Sequence, residues 1–320
     1  MSAKIRLAVL GNMIYDCVVW ADRLPKKGET VKGYKSGFFC GGKGANQAVQ
    51  AARLGAEVYM ISKVGQDKEG EILLDNLKRN GVNTDYVTVD SRCRTDICCI
   101  HVDRNGDNAI ITNIQSGDNL TKDDVEKAYS VIKKSDMFIT QLEMDIDTIG
   151  YAVDMAKQLN TGTILNPAPA RDIPCALYHA VDYITPNETE AELLTGIKME
   201  NEELGHWTRK VYENFRDKGV PNVVITLSSK GAFYGTPKAC DIVPPYYVQA
   251  VDATGAGDAF NAALAVKLSE GCDLENAVQY ANAAGALSAS KEGAQTSFAT
   301  ESQIQYFLTS RLLCEKGANG

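Results

Sequence analysis

Short apolar runs alternate with stretches of helical periodicity along most of the chain. Runs of this kind are typical of strands buried in a parallel sheet, and we place strands at Ile5–Gly11, Val58–Ile61, Met137–Thr140, Gly162–Asn166, Val181–Asn187 and Asn222–Leu227. The 3.6-residue spacing predicts helices near Ala45–Leu54, Lys68–Asn80, Lys122–Ile132, Thr148–Leu159, Asp258–Ser269 and Leu274–Ser290. This alternation predicts an α/β fold with a doubly wound, mostly parallel sheet flanked by helices.

Two regions break this alternation, because strand patterns follow each other there without a helix between them. These strand patterns lie at Tyr15–Trp20, Thr30–Phe39, Thr95–Val102 and Ala109–Ile114. Asn-Gly in the segment DRNGD (Asp103–Asp107) predicts a hairpin turn. We expect the strands inserted at about 14–40 and 95–115 to form a small β-sheet lid, whose apolar face covers a substrate or another subunit.

Length and composition are those of one globular domain. The chain has 320 residues, of which 44% are hydrophobic and 23% charged, so we expect a single α/β domain over residues 1–313 and a flexible tail over 314–320. No apolar run reaches about 18 residues, and the N-terminus lacks a signal-peptide pattern. These features predict no membrane segment and a cytoplasmic location, with the nucleus as the alternative in a eukaryote.

Net charge, cysteines and histidines limit the classes of binding partner and of catalytic group that we expect. The formal net charge is −8 and no basic block offsets it, which argues against nucleic-acid binding. Nine cysteines without a Cys-x-x-Cys pair predict reduced, mostly buried thiols. The three histidines lie far apart and outside metal-ligand patterns, so carboxylates become the leading candidates for a general base.

The segment VDATGAGDAFNAALA (Val251–Ala265) carries the strongest chemical signal. Gly255 and Gly257 precede a predicted helix near Asp258, and backbone amides at a helix N-terminus bind anions. A carboxylate among such amides suits phosphoryl transfer to a hydroxyl, because it can accept the hydroxyl proton while the amides face the transferred charge. The alternative is that Asp258 only caps the helix.

Three further segments each allow two interpretations. In TPNETEAELLTG, Asn187 and Glu190 could orient magnesium-bound water and phosphate, or could form a capping box. VVITLSSKGAFYG places a polar turn at the carboxyl end of a strand, which could line a ligand or merely connect elements. GGKGANQ resembles a P-loop, but Gly44 stands where a P-loop needs Ser or Thr, and Lys43 alone could be a solvated lysine.

Together these motifs resemble the carbohydrate kinase family that includes ribokinase, adenosine kinase and fructokinase. GGKGANQAVQAARLGA, NPAPA, ITPNETEAELLTG, AVDATGAGDAF and KEGAQTS match in order and spacing, over about Leu7 to Phe298. GGKGANQ, NPAPA and KEGAQ point to the ribokinase branch. The resemblance implies transfer from ATP to O5 of D-ribose, giving ribose 5-phosphate and ADP, with Mg²⁺ and K⁺ and a homodimer formed through the lid. The alternatives are a 2-deoxyribose kinase, an adenosine kinase-like enzyme, or an inert sugar-binding member. The last of these would be expected to lack Asp258, Gly255 or Gly257.

The resemblance also implies roles for individual residues. Asp258 would be the base, with the amides of Gly255, Ala256 and Gly257 as the anion hole. The expected sugar-side residues are Asn12, Ile14, Asp16, Gly42, Lys43, Asn46, Glu143, Asp252 and Asp258. The expected nucleotide-side residues are Asn187, Thr226, Leu227, Ser228, Ser229, Lys230, Gly231, Gly257 and Asn282. Potassium would lie near Asp252, Thr254, Ser288, Lys291, Gly293 and Ser297, and Glu190 would hold magnesium through water.

Three positions depart from the family pattern. Ile14 stands where bacterial ribokinases usually carry a polar residue, Ala253 replaces a threonine, and SGDN (Ser116–Asn119) replaces Ala-Gly-Ala-Asn. An apolar wall discriminates weakly between a hydroxyl and its absence, by roughly 1–3 kcal/mol. We therefore expect Ile14 to reduce the preference for ribose over 2-deoxyribose.

Overall fold

The computed structural model describes residues 4–200 and 202–318, and these residues confirm the predicted α/β class. The main sheet of the described chain has nine strands in the order β13-β12-β11-β10-β9-β8-β1-β4-β5. Their bounds are β1 (Arg6–Leu10), β4 (Glu57–Gly65), β5 (Asn83–Asp90), β8 (Met137–Thr140), β9 (Gly162–Leu165), β10 (Tyr183–Ile184), β11 (Asn222–Thr226), β12 (Ala232–Gly235) and β13 (Cys240–Val243). The seven strands from β11 to β5 in this spatial order pair in parallel, and β12 and β13 add an antiparallel edge.

The central strand β1 shows why the sheet is covered on both faces. Leu7 and Val9 belong to one hydrophobic core, and Ala8 and Leu10 belong to the other, all four with no exposed surface. Successive side chains of a strand point to opposite faces, so a continuous apolar run requires helices on both sides.

One layer of helices contains α1 (Lys43–Arg53), α2 (Lys68–Arg79), α9 (Ala256–Ser269), α10 (Leu274–Ala289) and α11 (Glu301–Ala318). The other contains α3 (Lys122–Lys127), α4 (Tyr129–Ile132), α5 (Ile146–Gln158), α6 (Cys175–Ala180), α7 (Glu188–Thr195) and α8 (Leu204–Asp217). The single helix predicted at Lys122–Ile132 is two helices, because the amide of Ala128 donates to the carbonyl of Val125 at 2.9 Å and closes a tighter turn there. The sequence periodicity did not predict α6, α8, α11, β5, β12 or β13.

A separate small sheet confirms the predicted helix-free strands. Within the described chain it contains β2 (Ile14–Ala21), β3 (Gly33–Gly41), β6 (Asp96–Val102) and β7 (Asn108–Asn113), in the order β3-β2-β6-β7. The hairpin turn lies where it was predicted, with the amide of Asp103 donating to the carbonyl of Asp107 at 2.9 Å. Gly106 takes a φ of 87°, which suits glycine.

Buried polar groups fasten the small sheet to the main sheet. The carboxylate of Asp96 accepts hydrogen bonds from the amide and the hydroxyl of Ser116, at 2.7 and 2.8 Å. The ammonium of Lys63, in β4, donates to the carbonyl of Asn119 at 2.7 Å and forms an ion pair with Asp124 at 2.8 Å. The Ser116 hydroxyl thus gives the SGDN segment an anchor that an alanine could not supply.

Helix α11 continues to Ala318, and residues 319 and 320 lie outside the described residues. The flexibility of the tail from residue 314 stays a prediction. The eight cysteines whose side chains the structure describes are unpaired, but they are half-buried or exposed, so the prediction of mostly buried thiols is wrong for these eight. Several lie in the small sheet, where both faces are partly open. Over the described ranges, no helix combines the length and apolar character needed to cross a membrane.

Candidate active site

Polar residues gather where the strands of the main sheet end. Asn12 follows β1, Glu143 follows β8, Asn166 follows β9 and Asn187 follows β10. Strand β1 lies between β4 and β8, which is where the strand order reverses. Ligands bind at the carboxyl edge of open α/β sheets at such a reversal. The fold therefore predicts a binding site here.

A cavity of about 210 Å³ opens at this edge. It brings together predicted residues from separate motifs, namely Lys43, Asn187, Glu190, Thr226, Gly255, Gly257 and Asp258. Its walls also include residues that the sequence analysis did not select, namely Asn166, Ala168, Thr185, Ala253 and Asn261. The signal for Asn166 and Ala168 was present in NPAPA, and the other three lie beside predicted positions.

The start of α9 forms one wall of this cavity. Gly255 precedes the helix with a φ of 78°, and a Cβ at this position would lie 2.8 Å from the Cβ of Ala294, so glycine is required there. Amides in the first turn of a helix have no acceptor four residues earlier in that helix. The amide of Ala256 donates to the carbonyl of Ala253 at 3.1 Å, so in this structure it closes a turn instead of facing the cavity.

Asp258 lies in this first turn and is 8% exposed. Its Oδ2 accepts from Nδ2 of Asn46 at 2.9 Å, and its Oδ1 accepts from Nε2 of Gln47 at 3.0 Å. No side chain caps α9, so the alternative in which Asp258 is only a cap is not supported. Burial raises the pKa of Asp258, and the charge of Lys43 and the two amide donors oppose that rise. The result is a buried carboxylate with a raised pKa in the cavity wall.

The predicted sugar-side carboxylates lie near the same space. The backbone amide of Lys43 donates to Oε2 of Glu143 at 3.0 Å, and Nδ2 of Asn12 donates to the carbonyl of Glu143 at 3.0 Å. Burial raises the pKa of Glu143 to about 7, and the charges of Asp258 and Asp16 push in the same direction against Lys43. Burial also raises the pKa of Asp16 to about 7. Such raised values are typical of functional sites.

The GGKGANQ segment lies directly against these groups. Gly42 has a φ of 88°, and a Cβ there would lie 2.6 Å from the carbonyl oxygen of Asn12, so the close approach of α1 requires glycine. Asn46 is 6% exposed and accepts from Gln295 at 3.0 Å while it donates to Asp258. Ile14, at the start of β2, is 5% exposed and presents an apolar side chain two residues from Asp16.

Asn187 and Glu190 form the predicted capping box at a position that also borders the cavity. The side chain of Asn187 accepts from the amide of Glu190 at 2.8 Å, and Oε2 of Glu190 accepts from the amide of Asn187 at 2.9 Å, which is a capping box. Both residues also line the cavity. Burial raises the pKa of Glu190, and the charge of Lys43 opposes this rise.

Some of the predicted nucleotide-side residues are open to the cavity or to solvent, and others are occupied by contacts within the protein. Thr226 lines the cavity, and Ser228 and Ser229 are exposed in the turn after β11. Leu227 has no exposed surface, and its amide and carbonyl form bonds within the turn, to Gly231 at 2.8 Å and from Lys230 at 3.0 Å. Leu227 therefore shapes this turn and offers no side chain to a ligand.

The side chains of two predicted nucleotide-side residues, Lys230 and Asn282, bind other parts of the protein. Nζ of Lys230 forms an ion pair with Glu188 at 2.9 Å. Nδ2 of Asn282 donates to the carbonyls of Val243 and Pro244 at 3.3 and 3.2 Å, and Asn282 is not part of the cavity wall. These contacts fix the turn after β11 to α7 and the segment after β13 to α10.

Two loops rich in oxygen atoms meet beside the Gly255–Gly257 segment. The carboxylate of Asp252 accepts from the amides of Thr254 and Gly293 at 2.9 and 2.8 Å, and the hydroxyls of Ser288 and Ser297 share a buried hydrogen bond of 2.8 Å. Burial alone would raise the pKa of Asp252, but these hydrogen bonds keep it below its ordinary value. A charged carboxylate among hydroxyls and carbonyls suits a hard cation. Lys291 is exposed at the margin of this region.

Comparison with known proteins agrees with this geometry. Residues 4–301 match the model of the pfkB family carbohydrate kinases. The chain belongs to this family, and it is accordingly a phosphotransferase with an alcohol group as acceptor.

Within the family, the chain is similar to ribokinases. It is 38% identical to the ribokinase of Bacillus subtilis, over 95% of this chain and 99% of that one. It is 34% identical to a deoxyribokinase of Salmonella typhi, over 95% and 98% of the two chains. The Arabidopsis thaliana ribokinase complexed with ribose and ATP superposes with a TM-score of 0.87, at 29% identity over 96% of this chain and 99% of that one.

Proposed function

We propose that this chain transfers the γ-phosphoryl group of ATP to O5 of D-ribose, giving D-ribose 5-phosphate and ADP. The observation that carries the proposal is the buried carboxylate of Asp258 in the first turn of α9, in one cavity with Lys43 and Glu190. Phosphoryl transfer to a hydroxyl needs a proton acceptor and a site for anionic charge side by side. The similarity to ribokinases, one of them solved with ribose and ATP, supports the choice of substrates.

In this proposal Asp258 accepts the proton of the sugar hydroxyl as that oxygen attacks phosphorus. The amides of the Gly255–Gly257 segment stabilise the charge of the transferred group. For this, the Ala256 amide would exchange its bond to the carbonyl of Ala253 for one to phosphate. Asp16 and Glu143, whose carboxylates accept hydrogen bonds from hydroxyls, would hold the sugar together with Lys43.

Two metal ions belong to the proposal. The buried carboxylate of Glu190 and the amide of Asn187 fit a hydrated Mg²⁺, whose charge would offset that of the phosphates. The oxygen groups around Asp252, Thr254, Ser288, Gly293 and Ser297, with Lys291 at their margin, fit K⁺. Exchange of potassium for sodium at matched ionic strength should lower the rate, and equal rates would contradict the potassium assignment.

A second candidate substrate is 2-deoxyribose. Ile14 is buried at the start of β2, near Asp16, and its apolar side chain cannot donate a hydrogen bond to a sugar hydroxyl. The similarity to a deoxyribokinase supports this alternative. Asp16 would still favour ribose by accepting hydrogen bonds from its vicinal hydroxyls, so we expect 2-deoxyribose to be used less well than ribose.

The test is ADP release with D-ribose, 2-deoxyribose and adenosine, each with the parent protein and with Ile14→Asn. We expect the highest kcat/KM for ribose, measurable turnover of 2-deoxyribose and a wider ribose preference in Ile14→Asn. A higher kcat/KM for 2-deoxyribose would make it the substrate, and preferred turnover of adenosine would overturn the sugar kinase proposal. An unchanged ratio in Ile14→Asn would show that Ile14 only packs the strand.

We also propose that two copies of the chain associate through the small sheet. Pairing places Phe38 and Ile111 on one face of that sheet and Phe39 and Ile110 on the other. These side chains are 64%, 71%, 36% and 53% exposed, respectively. Clustered exposed apolar side chains on a sheet favour contact with another protein surface.

A further inference from the structure

Gln47 is a buried side chain next to the site. It lies in α1, has no exposed surface and does not line the cavity. Its Nε2 donates to Oδ1 of Asp258 at 3.0 Å and to Oδ1 of Asn166 at 3.2 Å. Its Oε1 accepts from Nε2 of Gln141 at 2.7 Å. The amide of Gln47 therefore links the end of β8 to the catalytic helix α9.

Gln141 determines which end of the Gln47 amide faces Asp258. An amide side chain has one oxygen, which only accepts, and one nitrogen, which only donates. Because Gln141 donates to the oxygen of Gln47, the nitrogen of Gln47 must point to Asp258. Gln141 is fully buried, and its own Oε1 has no hydrogen-bond partner among the described residues. The hydrogen bond from Gln141 thus fixes the orientation of the Gln47 amide.

Asn46 completes the arrangement on the other carboxylate oxygen. Its Nδ2 donates to Oδ2 of Asp258 at 2.9 Å, so consecutive residues of α1 each hold one oxygen. Two donors on different oxygens fix the plane of the carboxylate as well as its position. Each oxygen keeps a further lone pair for an incoming hydroxyl. A reacting group held in one orientation avoids a search among unproductive orientations during the reaction.

We propose that Gln47 is a positioning residue, which holds the carboxylate of Asp258 in its reactive orientation, and that Gln141 sets the orientation of Gln47. This inference rests on the proposed role of Asp258 as the proton acceptor. Gln47 does not line the cavity, so it would act on the reaction through its hydrogen bond to Asp258.

The hydrogen bond from Gln47 also affects the charge state of Asp258. The charged groups that face Asp258 are Lys43 in α1, Glu143 after β8 and Glu190 in α7. Loss of the donor on Oδ1 leaves these charges unchanged and removes one bond that favours the ionised carboxylate. Because the base must be ionised, kcat falls when the pH drops below the pKa of Asp258. In a variant without this donor, the fall would begin at a higher pH than in the parent.

The experiment compares Gln47→Met with Gln50→Met in the full chain, with D-ribose and ATP. Gln50 is one turn further along α1 and equally buried, but its Nε2 donates to the carbonyl of Ala299 at 2.9 Å, away from Asp258. We expect Gln47→Met to lower kcat by roughly 10²-fold, the effect of a misplaced catalytic group. We also expect ribose KM to stay near the parent value and the acidic limb of the kcat–pH profile to move to higher pH. Gln50→Met should lose thermal stability to a similar extent and keep both kcat and the pH profile.

Gln141→Met should act in the same direction with a smaller effect, because it leaves the Gln47 amide present but free to turn. If Gln47→Met does not fold, Gln141→Met carries the test, and an unchanged kcat and acidic limb in that variant would overturn the inference. Equal behaviour of Gln47→Met and Gln50→Met would also overturn it. Asp258→Asn, measured in parallel, distinguishes failure of this inference from failure of the proposed function. If Asp258→Asn is inactive, a negative result for Gln47→Met concerns the role of Gln47 alone. If Asp258→Asn is active, the proposed role of Asp258 itself is wrong.

Discussion

Asp16 and Glu143 lie in surroundings that disfavour their charged forms. Burial raises the pKa of each carboxyl group to about 7, although both are expected to receive hydrogen bonds from a sugar. A binding site often holds groups in states that are unfavourable without the ligand, at a cost in stability. The pH dependence of stability should therefore reveal these residues even before any activity is measured.

Asp16→Asn should stabilise the protein, and more so at high pH than at low pH. The pKa of Asp16 is about 7 in the folded chain against its ordinary value of 3.8, so between these values the native state binds more protons than the unfolded state. Stability then falls as pH rises through that range. The measurement is thermal unfolding of parent and variant at about pH 8 and about pH 4. Asp118→Asn, at an exposed carboxylate, is the control, and an equal gain in both variants at both pH values would contradict the argument.

Individual site residues were predictable from the sequence where a motif fixes both residue type and local structure. Asp258 after Gly255 and Gly257 is such a case, because the glycines mark the start of a helix and so place Asp258 in its first turn. The role inferred for Gln47 was not predictable in this way. It depends on Gln141 and Asp258, which are 94 and 211 residues away, and on which end of an amide points to which neighbour.

Among the elements, α7 begins with a motif that has a structural use and a proposed functional one. The capping box of Asn187 and Glu190 starts α7 and also forms part of the cavity wall. Helix α3 begins with the same arrangement, formed by Thr121 and Asp124, away from the cavity. The pair of helices therefore separates the effect of a lost cap from the effect of a lost ligand group.

Asn187→Ala and Thr121→Ala should each lower the free energy of unfolding, by about 1 kcal/mol, because each removes a cap. Only Asn187→Ala should also lower kcat and raise the Mg²⁺ concentration needed for half-maximal rate, since only Asn187 lies in the cavity wall. Chemical denaturation and a magnesium titration measure the two effects. If both variants keep parent activity, Asn187 is a cap and nothing more.

Elements with strong signals at both ends were predicted well. Helix α2 was predicted at Lys68–Asn80 and runs from Lys68 to Arg79, since Asp67 caps its start and a glycine follows its end. Helix α9 begins at Ala256, two residues before the predicted start, because glycines next to the first turn hide the helical pattern. The break between α3 and α4 at Ala128 arises from one hydrogen bond and leaves no mark in residue type.

For the whole molecule, the presence of two sheets was predicted from the sequence. The buried polar contacts that connect the two sheets were not predicted. The helix-free strands indicated a second sheet from their spacing alone. The anchor formed by Asp96, Ser116, Lys63 and Asn119 joins segments that no periodicity connects. The burial of these groups depends on the packing of the complete fold, which local sequence patterns do not reveal.

The proposed association through the small sheet should be lost in the double variant Ile110→Lys and Ile111→Lys. The two side chains lie on opposite faces, so the double variant places a charge on whichever face meets the partner. We expect the parent to sediment as a dimer and the double variant as a monomer. Tyr306→Lys, at a side chain of α11 that is 77% exposed, should remain a dimer. A monomeric parent, or a double variant that stays dimeric, would contradict the proposal.

The most direct test of the account is the turnover of Asp258→Asn. This variant keeps the size of the side chain at the start of α9 and removes the group proposed to accept the sugar proton. We predict a fall in kcat of roughly 10²–10⁴, the range for loss of a general base, with ribose KM close to that of the parent. The measurement is ADP release by the purified variant, after its thermal unfolding shows that it is folded. A kcat near the parent value in that folded variant would show that Asp258 is not the proton acceptor.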